Sequence, residues 1–203
     1  MQIRRFVLII PFLLFAFSAN AVTLRLPETG YSATRIVNAS GTEISGTLYA
    51  QDGKERWETM ANGMQSVAIL LPRQSRLLVY MPQMNMAMEM DAESAAERGL
   101  RPMPEEVEAV EEGRETIEGE ETTRYRILPQ DSNLDDVRAW VTSDGIPVKI
   151  TGRSPQGEFS MRLTDLRRGE QDASLFRLPD GVAPMKMPMG MPGMAGGIPG
   201  MPF

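Results

Sequence analysis

The 203-residue sequence contains no cysteine and no histidine. Without cysteine, disulfide bracing, thiolate metal centres and acylation of a thiol are all excluded. Without histidine as well, the chain lacks the usual general base, the usual nucleophile pairings and the ligands of nearly all zinc and Cu(II) sites. Neither a Gly-x-Ser-x-Gly elbow nor a phosphate-cradling glycine loop occurs. No enzyme is expected from this inventory. Long apolar runs are also scarce. The longest, residues 6–17, follows Arg4 and Arg5 and precedes Ala19-Asn20-Ala21, the small-x-small pattern of a secretory signal cleaved after Ala21. It is shorter than the roughly 20 residues that span a bilayer, so no transmembrane segment is expected in the mature chain. Those features predict export to the periplasm.

Removing residues 1–21 would lower Lys+Arg from 21 to 19 against 27 Asp+Glu, a formal charge of −8. Such an acidic body disfavours nucleic acid and anionic lipid surfaces as partners. The remaining length suits one domain large enough to bury a core without disulfides.

From Tyr31 to Met90 the pattern is short apolar or alternating runs broken at Ser40-Gly41, Asp52-Gly53, Asn62-Gly63 and Pro72. This is the signature of an antiparallel meander of six strands. Asp-Gly and Asn-Gly suit two-residue hairpins, because both central residues there need positive φ. Residues 67–71 and 77–81 are continuously apolar, which predicts a sheet centre covered on both faces. After Met90 the period changes. Ser94 to Glu97 reads as a capping box and Gly99 as a helix stop, and Met103, Val107 and Val110 recur at helical spacing, so one or two short helices are expected. Strands resume at residues 122–128, 135–142, 146–152 and 158–166, for about ten in all. Leu175, Phe176 and Leu178 are placed to plug one end of the sheet. From Met185 to Phe203 the composition turns to Met, Gly and Pro, which predicts a flexible tail after a domain spanning residues 22–184.

Several of these pieces carry a family resemblance in their order and spacing: Tyr31-Ser32-Ala33-Thr34-Arg35, Gly53-Lys54-Glu55-Arg56, Met81-Pro82, the Gly119 hairpin leading to Thr123-Arg124-Tyr125-Arg126, Asp144-Gly145-Ile146-Pro147, and the closing run from Ser174 to Gly181. The chain resembles small exported bacterial proteins of unknown function related to the LolA and LolB lipoprotein carriers. The resemblance implies a curved antiparallel sheet, an incomplete barrel, with short helices across its concave face and acyl chains held between. The chain departs from the carriers before Gly30, where Pro27 breaks a stretch too short for a long leading helix. No functional residue is carried over.

Two methionine clusters stand out among the 16 methionines. Met84, Met86, Met88 and Met90 alternate, as they would along one side of a strand, and thioether chains repack around ligands of varied shape. Leu78, Tyr80, Met84, Met86, Met88, Trp140, Val148 and Met161 are the candidate lining for an apolar ligand or lipid, with an ordinary core face as the alternative. Met185, Met187, Met189 and Met191 form the second cluster. As soft, neutral ligands they are candidates for Cu(I) or Ag(I); docking on an envelope partner protein, or no specific role, are the alternatives. No other cofactor is expected. The acids between Glu105 and Glu121 read as a solvated face rather than a hard-cation site.

Overall fold

Turn chemistry lays out the meander. Asp52-Gly53, Asn62-Gly63 and Glu118-Gly119 each place two consecutive residues at positive φ, giving the backbone twist that joins adjacent antiparallel strands through two residues. Two further hairpins share a four-residue loop. Pro72–Gln74 and Pro82–Met84 are 3-10 turns, each closed by a left-handed residue, Ser75 or Asn85, whose backbone N–H returns to the proline carbonyl. Proline fixes the first loop residue, and a small polar residue tolerates the last.

The computed structural model describes residues 21–39, 41–91, 106–128 and 134–186. They form a single open sheet of thirteen strands. The strands are β1 (Ala21–Arg25), β2 (Tyr31–Ala39), β3 (Thr42–Gln51), β4 (Lys54–Ala61), β5 (Met64–Leu71), β6 (Arg76–Met81), β7 (Met86–Asp91), β8 (Glu106–Ile117), β9 (Glu120–Ile127), β10 (Asp135–Thr142), β11 (Pro147–Ser154), β12 (Gly157–Arg168) and β13 (Pro184–Lys186). Across the sheet the order is β1-β8-β9-β10-β11-β12-β2-β3-β4-β5-β6-β7-β13. The pairing is antiparallel except where β13 runs parallel to β7. The two meanders meet where β12 pairs with β2, and that pairing joins both halves into one sheet.

The mostly β fold class and the six strands from Tyr31 to Met90 agree with the sequence pattern, as do β9 to β12. Three strands depart from it. One is β1. The second, β8, contains Val107 and Val110, whose spacing in the sequence is that of a helix. In a strand, residues three apart face opposite ways, and here Val107 and Ala109 are buried together while β1 and β9 pair on either side of them. Cross-strand pairing overrides a spacing that only two valines support. The third is β13, which takes Met185 and Lys186 out of the expected tail. The signal segment before Ala21, the helix expected at Ser94 to Gly99, Met103 and the tail from Met187 lie outside the described residues. Among the described residues no helix is long and apolar enough to cross a membrane.

The strand alternation divides the apolar side chains between two clusters. The larger holds Tyr31, Leu48, Trp57, Val79, Met90 and Leu163 among its buried members, with Met88 and Met161 packed against it. The smaller joins Val67, Ile69, Leu71 and Leu78 to Phe176. The continuous apolar runs of β5 and β6 are explained by this division: Ala68, Leu77 and Val79 serve the larger cluster, and their neighbours in sequence serve the smaller one. Phe176 sits in a 3-10 turn, Ala173–Phe176, started by the Asp172 carboxylate accepting from the Ser174 N–H at 2.7 Å. That turn presses the closing segment onto β4 and β5.

Candidate ligand-binding face

The face that carries the larger cluster is apolar from β12 to β7, with a charged pair set into it. On β2 the inward positions are Tyr31, Ala33, Arg35 and Val37, so alternation sends an arginine where its neighbours send apolar groups. Arg35 is flanked in register by Leu163 of β12 and Gly46 of β3. Gly46 has no side chain because none fits: a Cβ there would lie 2.1 Å from the Glu58 carbonyl oxygen. The guanidinium Nη2 donates to Glu55 Oε2 at 2.6 Å, and Glu55 stands between Ala50 and Leu70, both of the same apolar face. Both side chains are largely shielded, 17% and 23% exposed. The guanidinium carbon lies 5.7 Å from the Trp57 ring centroid, a cation–π contact.

The pairing of these groups leaves donors unused. Arg35 Nε and Trp57 Nε1 are buried and have no hydrogen-bond partner among the described residues. A buried N–H without an acceptor costs about 1–3 kcal/mol, so two in one place call for an explanation. Beside them, burial pushes the Tyr31 phenol well above its ordinary value; the Glu55 charge adds to that rise and Arg35 opposes it. Tyr31 is therefore neutral at physiological pH and can act only as a hydrogen-bonding phenol. Chemically the arrangement is a largely apolar wall that carries one ion pair, the hydroxyls of Thr59 and Ser66, and two N–H donors without an acceptor among the described residues.

The candidates named from sequence fall into three places. Met88, Trp140, Val148 and Met161 join the larger cluster, and Met86 lies on the same side of β7 as Met88, opposite Met81. Leu78 and Tyr80 point the other way, into the smaller cluster beneath Leu175, Phe176 and Leu178. Met84 is not a strand residue but the last of the Pro82–Met84 turn, 47% exposed. Of the tail methionines, Met185 lies opposite Met88 in the β13–β7 pairing; Met187, Met189 and Met191 lie outside the described residues. Trp140 is tied down from both sides: its Nε1 donates to Glu115, and the Lys149 ammonium stands 4.3 Å from its ring centroid. The expected solvated acids of β8 are in part cross-strand partners, with Glu112 within ion-pair distance of Arg124, Arg126 and Arg138. Arg35, Glu55 and Trp57, which this candidate site adds, are not picked out by the sequence pattern, although strand parity alone puts Arg35 on the apolar side of β2.

Two depressions mark the surface of the described residues. One, about 10 Å³, is lined by Met64, Gln65, Ser66, Met81, Gln83 and Met84. The other, about 300 Å³, is polar and open, bounded by Asp136, Arg153, Glu158 and Phe159.

A 13%-identical uncharacterised conserved protein from Thermus thermophilus aligns over 79% of this chain and 91% of its own, with a TM-score of 0.55. The two chains share a fold. A LolA superfamily protein from Nitrosomonas europaea aligns over 76% of this chain and 93% of its own at 11% identity, with a TM-score of 0.39. The MucA/MucB complex of Pseudomonas aeruginosa aligns over 75% of this chain and 56% of the matched chain at 14% identity, with a TM-score of 0.48. At these identities the likeness concerns the fold alone. No family model and no curated protein matches the sequence.

Proposed function

We propose that the protein is a periplasmic, non-enzymatic binding protein that holds an amphiphile, a lipid or a free fatty acid, against the larger apolar face. The observation that carries this reading is the pair of unpartnered donors, Arg35 Nε and Trp57 Nε1, set into an otherwise apolar wall. An acyl carbonyl or carboxylate supplies the missing acceptor, and the chain of the ligand packs on the partly buried members of the cluster, Val37, Met88 and Met161. The absence of histidine and cysteine supports binding over catalysis. The Arg4-Arg5 head, the apolar run and the small-x-small site support export.

Binding on this reading requires side chains to move, since Arg35 Nε and Trp57 Nε1 are buried. The half-buried residues at the rim of the cluster, Met88 and Met161 among them, are the ones free to do so. Native mass spectrometry of the full chain purified from the periplasm tests the reading. A lipid-mass adduct released on denaturation supports it. Bare protein from cells grown with abundant fatty acid, together with no adduct on adding oleate, argues against it.

A further inference from the structure

The small crevice at the turn end of β5 and β6 has an unusual wall. Three of its six residues are methionines drawn from separate points of the chain: Met64 opens β5, Met81 closes β6, and Met84 ends the turn that follows. The loop is rigid in its essentials, with Pro82 at its head and the Asn85 N–H returning to the Pro82 carbonyl at 3.1 Å. Gln83 is held in turn, its Oε1 accepting from the Gln65 N–H at 3.2 Å. Ser66 completes the wall. It is 4% exposed, and its Oγ has no hydrogen-bond partner among the described residues.

We infer that Met64, Met81 and Met84 form a thioether site for a soft monovalent cation, Cu(I) or Ag(I). Three neutral sulfurs match the preference of such an ion, and with no carboxylate, imidazole or thiolate in the wall nothing there favours zinc, calcium or magnesium. The size agrees as well: about 10 Å³ admits an ion and excludes an apolar molecule. Ser66, whose hydroxyl is buried and without a partner among the described residues, belongs to the same wall. Access is open from outside, since Met64 and Met84 are 40% and 47% exposed. This site belongs to the folded sheet and is separate from the methionines that follow Met185.

The test uses the full chain labelled with 13C at the methionine methyls and titrated with silver nitrate in chloride-free buffer. The first equivalent should move the Met64, Met81 and Met84 methyls together. The M64L/M81L/M84L variant, which conserves volume and apolarity, should lose one equivalent and bind the remaining Ag(I) at least tenfold more weakly. If the triple variant does not fold, M84L alone, at an exposed turn position, should still weaken the first equivalent severalfold. First-equivalent shifts confined to Met185 and the methionines beyond it, or an unchanged affinity in these variants, would overturn the assignment.

Discussion

Arg35 is the one arginine among the inward residues of β2, Tyr31, Ala33, Arg35 and Val37. Placing a cation in an apolar face is costly unless its charge is met, and Glu55 meets it at 2.6 Å. Glu55→Gln should therefore lower stability by about 2 kcal/mol, between the values typical of exposed and fully buried pairs, as read from urea denaturation midpoints. Replacing both partners, as in R35M/E55L, should restore most of the loss, because neither charge is then left alone. The apolar members of the face behave as ordinary core: Leu48, at 0% exposed, should cost about 3 kcal/mol when cut to alanine. A surface carboxylate gives the pH dependence. Hydrogen bonds from Arg168, then from Thr142, hold the Asp144 carboxyl below its ordinary range despite an opposing effect of burial. A lowered folded-state pKa contributes stability above the unfolded value near 4, and that contribution is lost as pH falls through the folded value. Asp144→Asn should thus be less stable than the parent at pH 7 and match it in strong acid. Equal differences at both pH values would show that the loss is not electrostatic. Little of this is legible as a site in the sequence. Arginine at an inward position of β2 is visible in the alternation of Tyr31, Ala33 and Val37, but its partners Glu55 and Trp57 come from another strand, and register across β3 decides that meeting.

Elements are more legible, where local chemistry decides them. Asp52-Gly53 and Asn62-Gly63 demand left-handed backbone at both residues, and only a tight hairpin uses that. Gly63→Ala isolates the requirement. A Cβ at Gly63 meets nothing within 4 Å, so the expected loss of about 1 kcal/mol comes from its φ of +78° and from no clash. The closing segment is legible too, since the Leu175, Phe176 and Leu178 run has no other apolar surface to cover; Phe176→Ala should cost about 3 kcal/mol. Strands β8 and β13 are hidden for the opposite reason. Their residues, rich in Glu in one and in Met and Pro in the other, have poor strand propensity, and only the neighbouring strands make them extended.

For the whole molecule, the decisive property is that the sheet stays open, with β1 at one edge and β13 at the other. Strand β13 covers β7 over just three residues, Pro184 to Lys186, and its proline has no N–H to offer a further strand. Ending the chain after Ala183 should bare the β7 edge and raise self-association, measured by sedimentation velocity across a concentration series; an unchanged monomer fraction would show that β13 does not protect that edge. Fold class can be read from the sequence because alternation and turns recur over the whole length. Which strand face carries the larger apolar cluster cannot, because a parity pattern gives two faces and does not label them: Leu78 and Tyr80, grouped with Met88 on sequence grounds, lie behind the sheet.

Titration of the full chain with oleate carrying 13C at its carboxyl carbon, with Arg35→Met and Trp57→Phe measured beside the parent, tests whether Arg35 and Trp57 hold an acyl head group. A distinct bound carboxyl resonance is expected in the parent, with binding at least tenfold weaker in Arg35→Met, a smaller loss in Trp57→Phe, and folded spectra throughout. Binding of equal strength in the parent and both folded variants would contradict the assignment of Arg35 and Trp57 as the head-group site.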